Sequence, residues 1–136
     1  MQHLTKIKVR GYHLDLYQHV NNARYLEFLE EARWTYFEER ADLPAFLASG
    51  LALIVVNINI DYRHPATMND ELAIATSVKS VGNRSAVIHQ RVTLDGSDTL
   101  VAEADVTFVA FDGKQNKSVA IEGKLRELLE GLQHQA

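Results

Sequence analysis

The chain has 136 residues, 46% of them apolar and 24% charged, with a formal net charge of −4. That length suits one domain with a real core, and the composition is globular, not disordered. There is no cysteine, which excludes a disulfide framework, a zinc–thiolate site and a Cys nucleophile, and the negative balance argues against a general nucleic-acid binder.

The opening segment MQHLTKIKVR lacks the apolar region of a signal peptide. No apolar run reaches the ~18 residues that a membrane span needs. The expectation is a cytoplasmic protein without membrane attachment, folded as a single domain over residues 1–136. In TKIKVRG, Ile7 and Val9 alternate with Lys6, Lys8 and Arg10, which predicts a half-buried first strand ending at Gly11. A loop follows over residues 12–21.

From Asn22 the period changes. Arg24, Glu27, Glu31, Thr35 and Glu38 form one polar stripe of a helix, and the positions between them carry Tyr25, Leu26, Phe28, Leu29, Ala32, Trp34, Tyr36 and Phe37. The apolar arc is wide, so only a narrow edge is expected to face water, with a sheet wrapped around the rest. Asn21 or Asn22 is the natural N-cap, because its side-chain oxygen can accept from a free first-turn N–H. Glu30 and Arg33 read as a helix-surface or interface ion pair. The segment DLPAFLASG adds a short helical turn closed by Gly50.

LALIVVNINIDYRHP is the clearest strand. Strict alternation puts Ile54, Val56, Ile58, Ile60 and Tyr62 on one face and Val55, Asn57, Asn59, Asp61 and Arg63 on the other; Pro65 ends it. Asn57 and Asn59 stand out in so apolar a run, either as pocket or interface residues or as satisfied buried amides. ELAIATSVKSV, SAVIHQRVTL and TLVAEADVTFVAF follow as three more strands joined by turns at VGNR and DGSD. The tail IEGKLRELLEGLQHQA is an amphipathic helix with Leu125, Leu128, Leu129 and Leu132 on its apolar face. Strands joined by short turns imply an antiparallel sheet with the helices on one face, and long antiparallel strands curl. The predicted fold class is α+β: a hotdog fold, with a curled five-stranded antiparallel sheet around a long central helix and a C-terminal helix.

The loop YHLDLYQHVNN concentrates the chemistry. First-turn N–H groups have no partner inside a helix and carry partial positive charge, so the helix start at Asn22 can receive an oxyanion. Asp15 lies seven residues upstream, far enough across an open loop to stand opposite. A carbonyl between the two would meet N–H donors at oxygen and a carboxylate near carbon. Thioesters suit such a site, because a thiol of pKa about 8.5 leaves as thiolate without a strong general acid. No G-x-S-x-G elbow competes. Asp15 is read equally well as a turn residue bonding its own backbone, His19 as a loop hydrogen bonder, and Asn21 and Asn22 as caps. The six histidines show no metal-ligand spacing.

VRGYHLDLYQHVNNARYLEFLEEARW resembles the 4-hydroxybenzoyl-CoA thioesterase-like family of hotdog proteins, and within it the bacterial long-chain acyl-CoA thioesterases of the FadM type. VVNINIDYRHPA and ELAIATSV continue the resemblance in the same order, over nearly the whole chain. The resemblance implies hydrolysis of acyl-CoA by a cytoplasmic homodimer or homotetramer, without metal or redox cofactor. It places the acidic catalyst at Asp15, as nucleophile or general base, and the oxyanion donor at the backbone N–H of Asn22. His19 and Asn21 match the motif, Tyr25 lies near the site, and Asn57 enters it from a partner subunit. Arg63, Lys79, Arg84 and Arg91 are the expected cations for the CoA phosphates, each read otherwise as part of a solvated strand face. Two other functions fit less of the sequence: a hotdog enoyl-CoA hydratase or dehydratase, for which His19 is the available acid–base group, and a non-enzymatic acyl-CoA binding module.

Overall fold

In a computed structural model describing residues 2–135, one long helix lies across the inner face of a curled antiparallel sheet. Met1 and Ala136, the ends of the two expected terminal segments, lie outside the described residues. The elements run β1 (His3–Lys8), α1 (Asn22–Arg40), α2 (Leu43–Ala48), β2 (Leu51–Tyr62), β3 (Glu71–Val81), β4 (Ser85–Leu94), β5 (Leu100–Asp112), β6 (Lys117–Val119) and α3 (Gly123–Gln133). The sheet order is β1-β3-β4-β5-β2, every pairing is antiparallel, and β6 adds a sixth short strand against the end of β5. The hotdog architecture expected from the pattern is the one found. Because β1 and β2 sit at opposite edges, the connection between them crosses the whole inner face, and that connection is α1.

Strand alternation builds the core. On β5, Ala102, Ala104, Val106, Phe108 and Ala110 are buried while Glu103, Asp105 and Thr107 face outward. Against them pack Tyr25, Phe28, Leu29, Ala32 and Tyr36 of α1, then Leu125, Leu129 and Leu132 of α3. Each buried large aliphatic side chain contributes about 1.5–3 kcal/mol relative to exposure.

Two expectations are corrected by the structure. The faces of β2 do not alternate throughout, because a bulge inserts one extra residue between Val55 and Asn57. Leu53 and Val55 pair with Ala110 and Phe108, whose side chains point inward, as do the partners of Ile58, Ile60 and Tyr62 after the bulge. Ile54 therefore shares the outer face with Asn57, Asn59 and Asp61, and Val56 is the inserted residue. The amides of Asn57 and Asn59 are exposed, not buried.

The second correction concerns α1, which buries a narrower stripe than its composition suggests. Leu26 and Trp34 remain 39% and 48% exposed beside Glu30, on the flank nearest β2. Glu30 and Arg33 do not form an ion pair either. Arg33 turns inward and its Nη1 donates to Oε1 of the fully buried Gln90 at 3.0 Å.

Candidate active site

The loop ahead of α1 is tied at its neck and tip. A bridge joins Leu14 to Val20, and the Asp15 N–H donates to the His19 carbonyl at 2.9 Å. The tip turns through Gln18, whose left-handed φ of 63° is uncommon for a side chain of that size. Oδ1 of Asp15 accepts from the backbone N–H of Tyr17 at 2.9 Å and of His19 at 3.4 Å. Asp15 is thus a turn residue through one oxygen, while Oδ2 carries no hydrogen bond among the described residues. The first fixes the carboxylate in place, and the second leaves one of its oxygens open.

At the helix start Asn21 is the N-cap, its side chain accepting from the Ala23 N–H at 2.9 Å. The Arg24 N–H goes to the Asn21 carbonyl and the Asn21 N–H to His13. That leaves the Asn22 N–H without an acceptor among the described residues, a first-turn donor of the kind that binds developing negative charge. The Asn22 carbonyl accepts from the Tyr62 hydroxyl at 3.0 Å, which pins the helix start to the end of β2.

A buried platform holds this arrangement. Tyr25, only 4% exposed, packs edge-on against Tyr62 at 5.4 Å and Phe28 at 6.0 Å. Burial pushes its phenol up to about 12, against a hydrogen bond with the Ala66 backbone. Val20 donates to the Ala66 carbonyl at 2.9 Å, so one residue anchors both loop and helix. His13 is buried beneath the loop, its Nδ1 accepting from the Arg10 N–H at 2.8 Å and its ring edge-on to Phe28. Burial first, then the Arg24 guanidinium, holds its pKa below the ordinary histidine value, so it sits neutral as part of the scaffold. Arg24 braces the loop by donating to the Tyr12 carbonyl and to Glu27.

Residues 9–129 match the Thioesterase-like superfamily. The chain belongs to that superfamily. It is 52% identical over 126 residues to the long-chain acyl-CoA thioesterase FadM of Escherichia coli K12, covering 93% of this chain and 96% of that one. Identity to the acyl-CoA thioester hydrolase YbgC of Escherichia coli O6:H1 is 31% over 103 residues, 75% of this chain and 76% of that one. The crystal structure of YbaW, a probable thioesterase from Escherichia coli, superposes with a TM-score of 0.89 at 50% identity, covering 95% of this chain and 97% of the other.

Within this superfamily member, the sequence-derived candidates divide into groups. Asp15, His19, Asn21 and Asn22 converge on the mouth of α1, with His19 exposed. Tyr25 lies below them as support. Arg63 stands just past β2, near Tyr62, with Nη2 3.4 Å from Asp61. Asn57 lies on the exposed outer face of β2, away from its own chain's loop. Arg84 binds the Ser118 carbonyl and hydroxyl at the opposite end of the sheet. Lys79 and Arg91 are engaged by Asp105 at 2.7 Å and Glu103 at 3.7 Å. No group of three or more metal-type ligands occurs among the described residues. Tyr62 and Arg24 escaped the sequence reading, since they act through partners 40 and 12 residues away, and His13 escaped it because its packing against Phe28 is tertiary.

Proposed function

We infer that this protein hydrolyses fatty acyl-CoA to free fatty acid and CoA, with Asp15 as the essential carboxylate and the Asn22 N–H as oxyanion donor. The observation that carries the residue assignment is the pair of unused groups at the helix mouth: one free carboxylate oxygen and one free first-turn N–H. The thioester carbonyl oxygen accepts from Asn22 as negative charge builds on it. Asp15 then either attacks the carbonyl carbon, giving an anhydride that water opens, or takes a proton from water as that water attacks. In both routes CoA departs as thiolate and is protonated. Asn21 shapes the donor by capping, Tyr25 supports it, and His19 and Arg63 border the entrance.

In this reading the working form is a homodimer in the cytoplasm, acting without metal, redox cofactor, nucleic acid or membrane. β2 supports the dimer: it is a sheet edge whose Ile54, Val55 and Val56 are 43%, 40% and 56% exposed. Antiparallel pairing of two β2 edges would place Asn57 near the symmetry axis. Tail length is medium to long.

Asp15→Asn keeps the Oδ1 hydrogen bonds and removes the charge. The expected loss in kcat is about 10²–10⁴-fold, by analogy with positioned acid–base groups, read by thiol release from acyl-CoA. Full activity in this variant would overturn the assignment. Single-turnover hydrolysis in ¹⁸O water tests the nucleophilic route: label in the Asp15 carboxylate means that water opened an anhydride at the Asp15 carbonyl, which a general base never forms, whereas label in the fatty acid alone fits general-base catalysis and opening of an anhydride at its acyl carbon equally.

A further inference from the structure

β1, the start of the loop and the first half of α1 form a groove of about 410 Å³. Four cations line it, Lys6, Lys8, Arg10 and Arg24, against two carboxylates, Glu27 and Glu31. Two of the cations are already engaged, Lys6 with Asp95 at 3.2 Å and Arg24 with Glu27 at 2.9 Å. Lys8 and Arg10 have no ion-pair partner among the described residues. Glu31 stands seven residues beyond Arg24, about 10 Å along the helix. The Arg10–Arg24 end of the groove is therefore positive, in a chain whose formal net charge is −4.

His13, only 9% exposed, supplies a donor at the same end. Its Nδ1 accepts from the Arg10 N–H at 2.8 Å, so the neutral ring carries its hydrogen on Nε2. That N–H has no hydrogen-bond partner among the described residues, and it is not one of the side-chain atoms sealed inside the protein without a partner. It opens onto free space, and the groove is the space that His13 borders. The charges of Arg24 and Arg10 both act on the ring. A fixed N–H beside two uncommitted cations suits an oxyanion. Two cations match the charge of a phosphate ester, about −1.5 to −2 at neutral pH, better than the single charge of a carboxylate. Tyr12, 72% exposed at the rim, adds an aromatic surface for the body of such an ester.

We propose that this groove binds the phosphate group of a phosphate ester, with His13 Nε2–H, Lys8 and Arg10 as its donors. The site adjoins the catalytic loop. The His13 carbonyl accepts from the Asn21 N–H at 2.9 Å, and the Tyr12 carbonyl from Arg24 Nη2 at 3.3 Å. An anion gripped here ties β1 to the residues that bracket the Asp15 turn. Two sources carry the same chemistry: a free phosphate ester that is no part of the reaction, and the phosphates of a CoA thioester held at Asp15 and Asn22. The second source rests on the acyl-CoA reading above; binding of phosphate in the groove does not.

The test titrates the full chain with inorganic pyrophosphate in a calorimeter at low ionic strength. Wild type should bind it saturably. The double variant Lys8→Gln with Arg10→Gln, and separately His13→Asn, should each bind at least about ten-fold more weakly. Asn at position 13 keeps an acceptor for the Arg10 N–H and removes the Nε2–H; circular dichroism checks that each variant folds. In protein labelled with ¹⁵N-histidine, the Nε2 resonance of His13 should move as pyrophosphate is added. Absence of saturable binding by wild type, or wild-type affinity in both variants, overturns the proposal. Thioester assays then separate the sources through the ratio of KM for palmitoyl-CoA to KM for palmitoyl-pantetheine, which lacks phosphate. If the substrate's own phosphates fill the groove, the double variant raises this ratio about ten-fold. If a free phosphate ester fills it, the ratio holds, and added pyrophosphate shifts kcat for both thioesters in wild type but not in the double variant. Wild-type protein that cleaves neither thioester overturns the functional reading instead and leaves the calorimetric result standing.

Discussion

β1 and β2 are the two edges of one sheet, and they are built to opposite ends. β1 has six residues with Lys6 and Lys8 pointing outward, and Lys6 pairs with Asp95 at 3.2 Å. Shortness and lysines keep an edge from pairing with another chain. β2 has twelve residues, carries no charge before Asp61, and exposes Ile54, Val55 and Val56 in succession. Its bulge at Val56 leaves apolar side chains on both faces of the strand. The flank of α1 beside it is open in the same way, through Leu26 and Trp34. The contrast agrees with the dimer proposed above, since β2 and not β1 is the edge left open to a second copy.

Breaking that side should have the largest effect. Ile54→Lys places a charge against its own copy near the two-fold axis; light scattering should report a single-chain mass, and palmitoyl-CoA hydrolysis should fall roughly 100-fold as the partner's contribution to the site is lost. Leu4→Lys on β1, at a residue already 49% exposed, should change neither. A dimer that survives Ile54→Lys but not Leu4→Lys would reverse the assignment of the two edges. A smaller effect separates the two flanks of α1. Leu29→Ala, at a residue 1% exposed, should cost about 2–5 kcal/mol in denaturant unfolding. Leu26→Ala should cost the isolated chain less than about 0.5 kcal/mol and instead raise the dissociation constant of the dimer. Equal costs for both variants in a monomeric Ile54→Lys background would mean that the Leu26 flank is covered by its own chain.

Much of this was legible in the sequence because it is local. Asp15, the cap at Asn21 and the helix start at Asn22 lie within one short stretch, so spacing alone brings them together. The strands of the sheet were legible through alternation, and β5 shows why: its inner and outer residues differ sharply in polarity. β2 was misread at the one place where alternation carries no information. Ile54, Val55 and Val56 are all apolar, so an inserted residue leaves no mark in the pattern, yet it flips every side chain before it. The apolar cleft where α1, α2 and β2 meet, lined by Trp34, Phe46 and Leu53, is not legible either, since the three elements come together there only through tertiary packing. Lys79 and Arg91, expected near the CoA phosphates, have neighbours that no local motif reveals: the register of β3 and β4 sets them near Asp105 and Glu103 of β5, while their side chains stay 55% and 49% exposed.

That charge ladder supplies the smallest prediction and the sharpest control, because it lies on the outer face next to β2, with Asp105 paired across from Asn59. Asp105 sits between Lys79 Nζ and His89 Nδ1, each at 2.7 Å, and His89 Nε2 reaches Glu103 at 3.3 Å. The hydrogen bond from Lys79, then that from His89, holds the Asp105 carboxyl below the ordinary carboxylate range, against the opposing effect of burial. A carboxyl depressed in the folded state stabilises the fold at every pH above its unfolded value, and the stabilisation is lost as pH falls through the folded value. The side chain is 36% exposed, so solvent screens the gain to under about 1 kcal/mol. Asp105→Asn should therefore lower unfolding free energy at neutral pH by about 0.5 kcal/mol, measured at fixed protein concentration, and the difference should vanish in acid below the carboxylate range. Its mass in solution should stay that of the wild type, because the charges of this ladder are satisfied within one chain while the edge of β2 is not. A single-chain mass for Asp105→Asn would move the interface from the edge of the sheet to its outer face.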